Sequence, residues 1–178
     1  MNLSTAFRAP IILFSLFLTA GVSAALAQEE VPRADAKRDW GVYSGGEPKE
    51  CWIVSAPKKS EARRGGKKVT VRRGDIMLMV SVRPSDGVKN EVSFEAGYPI
   101  RKDSTVNMRI GTESFELFID GETAWPASPD EDAKVITAMR RGSSAVVTGL
   151  SQRGTTTVDT FSLLGFTAAL ESAQAMCK

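Results

Sequence analysis

Histidine is absent from this 178-residue chain, and several chemistries go with it. Without an imidazole there is no Ser-His-Asp or Cys-His nucleophile and no histidine-ligated metal. Cysteine is scarce too, at Cys51 and Cys177 only. Two thiols fall short of the four ligands that structural zinc wants, so no metal site is expected. No phosphate-binding glycine loop, dinucleotide fingerprint or calcium loop occurs. The expectation is no catalytic residue, no metal and no cofactor. A charge excess is also missing: Lys+Arg number 23 against 21 Asp+Glu, a formal net charge of +2. Such a balance lacks the basic surplus of a nucleic-acid binder. Past the first segment, no apolar run approaches the roughly 20 residues of a membrane-spanning helix.

What is present starts with an export signature. Arg8 precedes the apolar run Ile11-Ile12-Leu13-Phe14-Ser15-Leu16-Phe17-Leu18, and small residues follow up to Ala25-Leu26-Ala27. This is the pattern of a secretory signal peptide, residues 1–27, with cleavage expected after Ala27. No cysteine follows the site, so no lipid anchor is expected. Residues 28–38 are polar and read as a flexible N-terminal arm. Residues 39–178 have the size of one domain. The expected location is the periplasm or the exterior. In that oxidising setting Cys51 and Cys177 favour a disulfide over free thiols. The loop it closes would hold almost the whole domain, for about 5 kcal/mol of stabilisation by chain entropy. Set against a usual total of roughly 5–15 kcal/mol, that is a large share.

The domain reads as short strands. Asp39 to Tyr43 has a brief apolar alternation, and Glu50 to Ser55, Val69 to Arg72 and Asp75 to Val82 read as further strands. Glu91 to Ala96, Thr105 to Ile110 and Ser114 to Ile119 alternate apolar with polar. Pro84-Ser85-Asp86-Gly87, Gly111 and Asp120-Gly121 punctuate them as turns. Ser144 to Leu150 and Thr155 to Leu163 form a hairpin about Ser151-Gln152-Arg153-Gly154. Two short helices are expected, over about 129–141 and 165–176. The first opens on Ser128-Pro129-Asp130-Glu131, a capping box with proline at the first helical position. It closes on Arg140-Arg141-Gly142, cations where the helix dipole favours them. The predicted fold is mainly β: an antiparallel β-sandwich or open barrel of about 8–10 short strands with these two helices.

Charge is segregated along the chain. Between Lys58 and Arg73 lie eight basic residues (Lys58, Lys59, Arg63, Arg64, Lys67, Lys68, Arg72, Arg73) and one acid, Glu61. Between Glu113 and Asp132 lie seven acids and no base. The basic stretch reads as a loop turning at Gly65-Gly66, and it is the candidate binding surface together with Trp125. Its cations suit phosphates of lipopolysaccharide or an acidic protein face. A solvated loop, or pairing with the acidic stretch, accounts for the same residues. Arg73-Gly74-Asp75 spells an integrin-ligand tripeptide, here read as a strand junction. Asp120 and Glu122 are the one carboxylate pair considered for hydrolysis, and a solvated turn explains them as well.

An ordered set of short motifs carries a resemblance. It comprises Asp39-Trp40, Glu50-Cys51-Trp52-Ile53-Val54, Gly97-Tyr98-Pro99, Ile119-Asp120-Gly121, Ala138-Met139 and Phe161-Ser162-Leu163 followed by Gly165-Phe166-Thr167-Ala168-Ala169. With these the chain resembles the invasion-associated locus B family of exported alphaproteobacterial proteins over roughly Trp40 to Ala175. The resemblance implies a mainly β domain in the cell envelope and assigns no catalytic residues. Many relatives carry further cysteines that this chain lacks, so the roles of those bridges do not transfer. The expected function is a non-enzymatic envelope or periplasmic interaction module, its partner an envelope component or another protein. A host-cell invasion or adhesion factor is the alternative, and a carboxylate-based hydrolase the third reading.

Overall fold

The computed structural model describes residues 31–178, and the expected signal peptide lies outside the described residues. Twelve strands form one continuous antiparallel sheet: β1 (Arg33–Lys37), β2 (Trp40–Gly45), β3 (Glu50–Ser55), β4 (Lys59–Arg64), β5 (Lys67–Lys68), β6 (Met77–Arg83), β7 (Val88–Glu95), β8 (Val106–Ile110), β9 (Glu113–Asp120), β10 (Thr123–Trp125), β11 (Ser144–Leu150) and β12 (Thr156–Ser162). Their order is β1-β2-β3-β6-β7-β10-β9-β8-β11-β12-β4-β5. With β1 and β5 as free edges the sheet is not closed into a barrel, and it folds over on itself as a sandwich. Helices α1 (Pro129–Arg141) and α2 (Phe166–Met176) follow the expected boundaries closely. The strand count exceeds the expected 8–10 because β1, β4, β5 and β10 carry little apolar alternation.

Period-two patterning explains the core. Val42, Ile53, Val80 and Val92 lie side by side in register across β2, β3, β6 and β7, all fully buried. Facing them, Met108, Val147, Ala145 and Phe161 line the inner side of β8, β11 and β12. Phe94 meets Phe161 edge to face at 6.1 Å and joins the two layers. Helix α2 lies on β2 and β3 with Phe166, Ala169, Leu170 and Ala173 turned inward. Trp40 holds its entry: the ring packs on Phe166 at 5.1 Å, and its Nε1–H donates to the Ser162 carbonyl. The expected disulfide joins Cys51 of β3 to Cys177 at the end of α2.

Three local expectations change. Residues 33–37 are not a loose arm: they form edge strand β1, paired with β2, and Asp35 accepts a hydrogen bond from Ser172 of α2. The basic stretch is not a loop either. It is an edge hairpin, β4–β5, whose two-residue turn at Gly65-Gly66 needs the positive φ that both glycines adopt. Residues 69–72, expected as a strand, form no strand and instead cross between layers. In α1 the capping box is half made. Ser128 Oγ accepts from the Glu131 N–H, while the Glu131 carboxylate pairs with Lys134.

Asp132, in the first turn of α1, is 8% exposed and accepts the Val92 N–H of β7 at 2.8 Å. Burial pushes its carboxyl from the ordinary 3.8 up to about 6, with Glu91 adding repulsion. A raised folded-state value favours the folded protein below the unfolded value, and that gain is lost as pH rises through about 6. Asp132→Asn keeps an oxygen for Val92 and removes the ionisation. Between pH 7.5 and 4 the native protein is therefore expected to gain roughly 2 kcal/mol relative to this variant. Urea midpoints across that range check it, and parallel curves would refute it.

Candidate functional site

On β12 and the residue before it, the core-facing positions are Thr155, Thr157, Asp159 and Phe161, all buried. Phe161 continues the apolar core, whereas the other three make the sandwich interior polar toward one end. A buried carboxylate must be paired to persist. Arg73, from the crossing segment 69–76, supplies the pair: Nη1 and Nη2 each reach an Asp159 oxygen at 2.7 Å. Nε and Nη2 also donate to the Ala96 carbonyl, and the guanidinium sits 4.9 Å from the Tyr98 ring centre. Tyr98 shares a 2.6 Å hydroxyl hydrogen bond with Thr157, and burial pushes its phenol up. A close backbone approach seats this plug. Gly97, at φ +67, passes so near Gly74 and Asp75 that a Cβ would stand 2.7 Å from the Gly74 oxygen.

Over the plug opens a groove of about 540 Å³ bounded by Arg64, Arg72, Arg153, Tyr98 and Glu122. That size is usual for a small-ligand site. Arg64 is positioned without being neutralised: its Nε and Nη2 both donate to Thr155 Oγ1, at 3.0 and 2.8 Å. Ser151 Oγ in turn accepts the Thr155 N–H. Arg72 and Arg153 have no ion-pair or hydrogen-bond partner among the described residues. Arg101 stands nearby, its Nη2 3.4 Å from where a Cβ on Gly154 would lie. Glu122 is the one carboxylate on the groove wall.

The structure splits the sequence-predicted surface. Arg64 and Arg72 reach the groove; Lys67 and Lys68 stand exposed on the outermost strand beside it. Arg63 is exposed and caps its own turn through the Gly66 carbonyl. Lys58 and Lys59 are partly neutralised by Asp39 at 2.6 Å and Glu61 at 2.9 Å. Lys58 borders a different hollow, where Asp39 and Asp75 stand among Arg33, Arg38 and Lys58. Arg73 does not belong to a contact surface at all: its side chain is 7% exposed and spent on Asp159. The Arg73-Gly74-Asp75 tripeptide therefore presents no free guanidinium. Trp125 is not brought to the basic residues. It sits on β10, opposite the exposed Phe118 of β9 in register.

The carboxylate pair does not converge: Glu122 faces the groove, while Asp120 is exposed at the end of β9 and outside the groove wall. Among the described residues no cluster of three or more acids, cysteines or histidines could hold a metal ion. Among them, too, no helix is long and apolar enough to cross a membrane. Arg153, Tyr98, Thr155 and Thr157 escaped the sequence reading. The one signal available was Asp159 standing in the same strand phase as Phe161.

Fold and groove together define a disulfide-clasped antiparallel β-sandwich with one basic, open end. Residues 42–174 match the family described as Invasion associated locus B (IalB) protein, and the chain belongs to that family. The crystal structure of invasion associated protein B from Bartonella henselae is similar to it. The TM-score is 0.54 at 16% identity, over 80% of this chain and 96% of that one, so what is shared is the fold. No curated protein matches the chain.

Proposed function

We propose that the chain is an exported cell-envelope module that works by binding and not by catalysis, in the periplasm or outside the cell. The observation that carries this is the set of uncompensated cations at one end of the sandwich: Arg64, Lys67, Lys68, Arg72 and Arg153. Cations that no carboxylate among the described residues pairs with are positioned for an external anion, and an anionic envelope component fits them. The export signature and the clasp, which needs an oxidising compartment, agree with that location. Binding to anionic vesicles or lipopolysaccharide should weaken as salt rises. It should also fall at least about tenfold in a Lys67→Gln, Lys68→Gln variant. Binding that ignores both salt and these substitutions would overturn the reading.

A second reading rests on the family and on the printed name of the Bartonella henselae protein: contact with host cells during invasion. Its discriminator is location, because a strictly periplasmic protein does not meet a host surface. Protection from protease on intact cells would exclude this second reading.

A further inference from the structure

We infer that the groove is a discrete site for one sugar-phosphate group, an inference that rests on the anion-binding reading above. Counting the Arg73–Asp159 pair as neutral, the wall presents three guanidinium groups against the single carboxylate of Glu122. Like charges gathered around one hollow repel each other, and among the described residues the groove wall supplies no further carboxylate for the remainder. A phosphate monoester brings about −1.5 to −2 charge, which matches the remainder. Guanidinium forks also suit phosphate geometry better than ammonium groups do.

The rest of the wall asks for more than bare phosphate. Glu122 offers its carboxylate oxygens as acceptors, and a hydroxyl-bearing ligand can donate to them. Val71 and Pro99 give the groove apolar edges against which the carbon face of a sugar ring fits. About 540 Å³ holds a monosaccharide phosphate and is too small for a folded polymer. The floor is fixed before any ligand arrives, since Arg64 is held by Thr155, and Tyr98 by Thr157 and Arg73. Preorganised donors lose little entropy on binding.

The same head group could arrive as a soluble sugar phosphate or on a phosphoglycolipid, and the experiment separates these sources. Calorimetry and amide chemical shifts are read with glucose 1-phosphate, N-acetylglucosamine 1-phosphate, inorganic phosphate and glucose. At least one sugar phosphate is expected to bind one to one, about tenfold tighter than inorganic phosphate, with glucose silent. Arg72→Gln with Arg153→Gln, both exposed side chains, should cut that affinity at least tenfold. Lys67→Gln with Lys68→Gln should leave it unchanged. Vesicles carrying a phosphorylated glucosamine lipid that displace the soluble probe support a lipid source; a failure to displace supports a soluble one. Absence of saturable binding by either sugar phosphate, or equal binding in the arginine variant, would overturn the site. The lysine-dependent vesicle binding is measured separately, so it survives such a failure or falls on its own.

Discussion

Asp159→Ala is expected to lower the unfolding free energy by about 3–5 kcal/mol, the usual result of stranding one member of a buried ion pair. Asp159 is fully buried, and the guanidinium it leaves behind is 7% exposed. Arg73 would then carry its charge against the Ala96 carbonyl and the Tyr98 ring, with no carboxylate to offset desolvation. Arg73→Lys should also be costly, since an ammonium cannot hold both carboxylate oxygens and the Ala96 carbonyl at once. An Arg73→Met, Asp159→Leu double variant removes both charges and should recover much of the stability. Urea unfolding of the native protein, Arg73→Met, Asp159→Leu and their combination completes a double-mutant cycle, and a coupling below about 1 kcal/mol would refute a structural pair. Because this pair floors the groove, Asp159→Ala should also lose groove binding, whereas the double variant tests whether shape alone suffices.

How legible all this was depends on what each segment has to say locally. Val92 and Phe94, or Met108 and Ile110, announce strands because burial on one face forces period-two alternation. Ser128-Pro129 announces α1 because orphan N–H groups at a helix start need an acceptor. Edge strands have no such obligation. The β1 segment Arg33–Lys37 contributes nothing to the core, and only its pairing with β2 and the packing of α2 hold it. Gly165 shows how close that packing is: a Cβ there would run into the Lys37 carbonyl. In β4, charged side chains concealed a strand, because lysine and arginine near a sheet edge discourage pairing with other chains without preventing pairing with β12 and β5. The groove was hidden for a different reason. Arg64, Arg72 and Arg153 come from the β4–β5 hairpin, a crossing segment and a hairpin turn, so no local pattern links them. Asp159 was the exception. In the strand phase set by Phe161 and Leu163, an acid at that position implies a buried cation somewhere else in the chain.

The other large effect is expected from the clasp. Converting both Cys51 and Cys177 to alanine should cost about 4–5 kcal/mol, because the bond spans a sequence separation of 126 and restricts nearly the whole unfolded domain. Much of that loss arises in the unfolded state, so the folded structure should change little. Phe166 would still meet Trp40, and Leu170 and Ala173 would still be buried. Only the last turn should fray, since the hydrogen bond from the Cys177 N–H to the Ala173 carbonyl would be left to hold it. Hydrogen exchange is therefore expected to rise first at Met176 and Cys177, while Val80 and Val92 stay protected to the level of global unfolding. The reduced native protein should match the double variant, and the two should diverge only once the native thiols are oxidised. Equal urea midpoints for the oxidised and reduced protein would contradict this account. A domain with a usual total of roughly 5–15 kcal/mol that takes this much from one bond keeps its full margin only where thiols are oxidised. Stability measured in a glutathione buffer of cytosolic poise, against an oxidising one, thus also tests the proposed export by a route independent of any ligand.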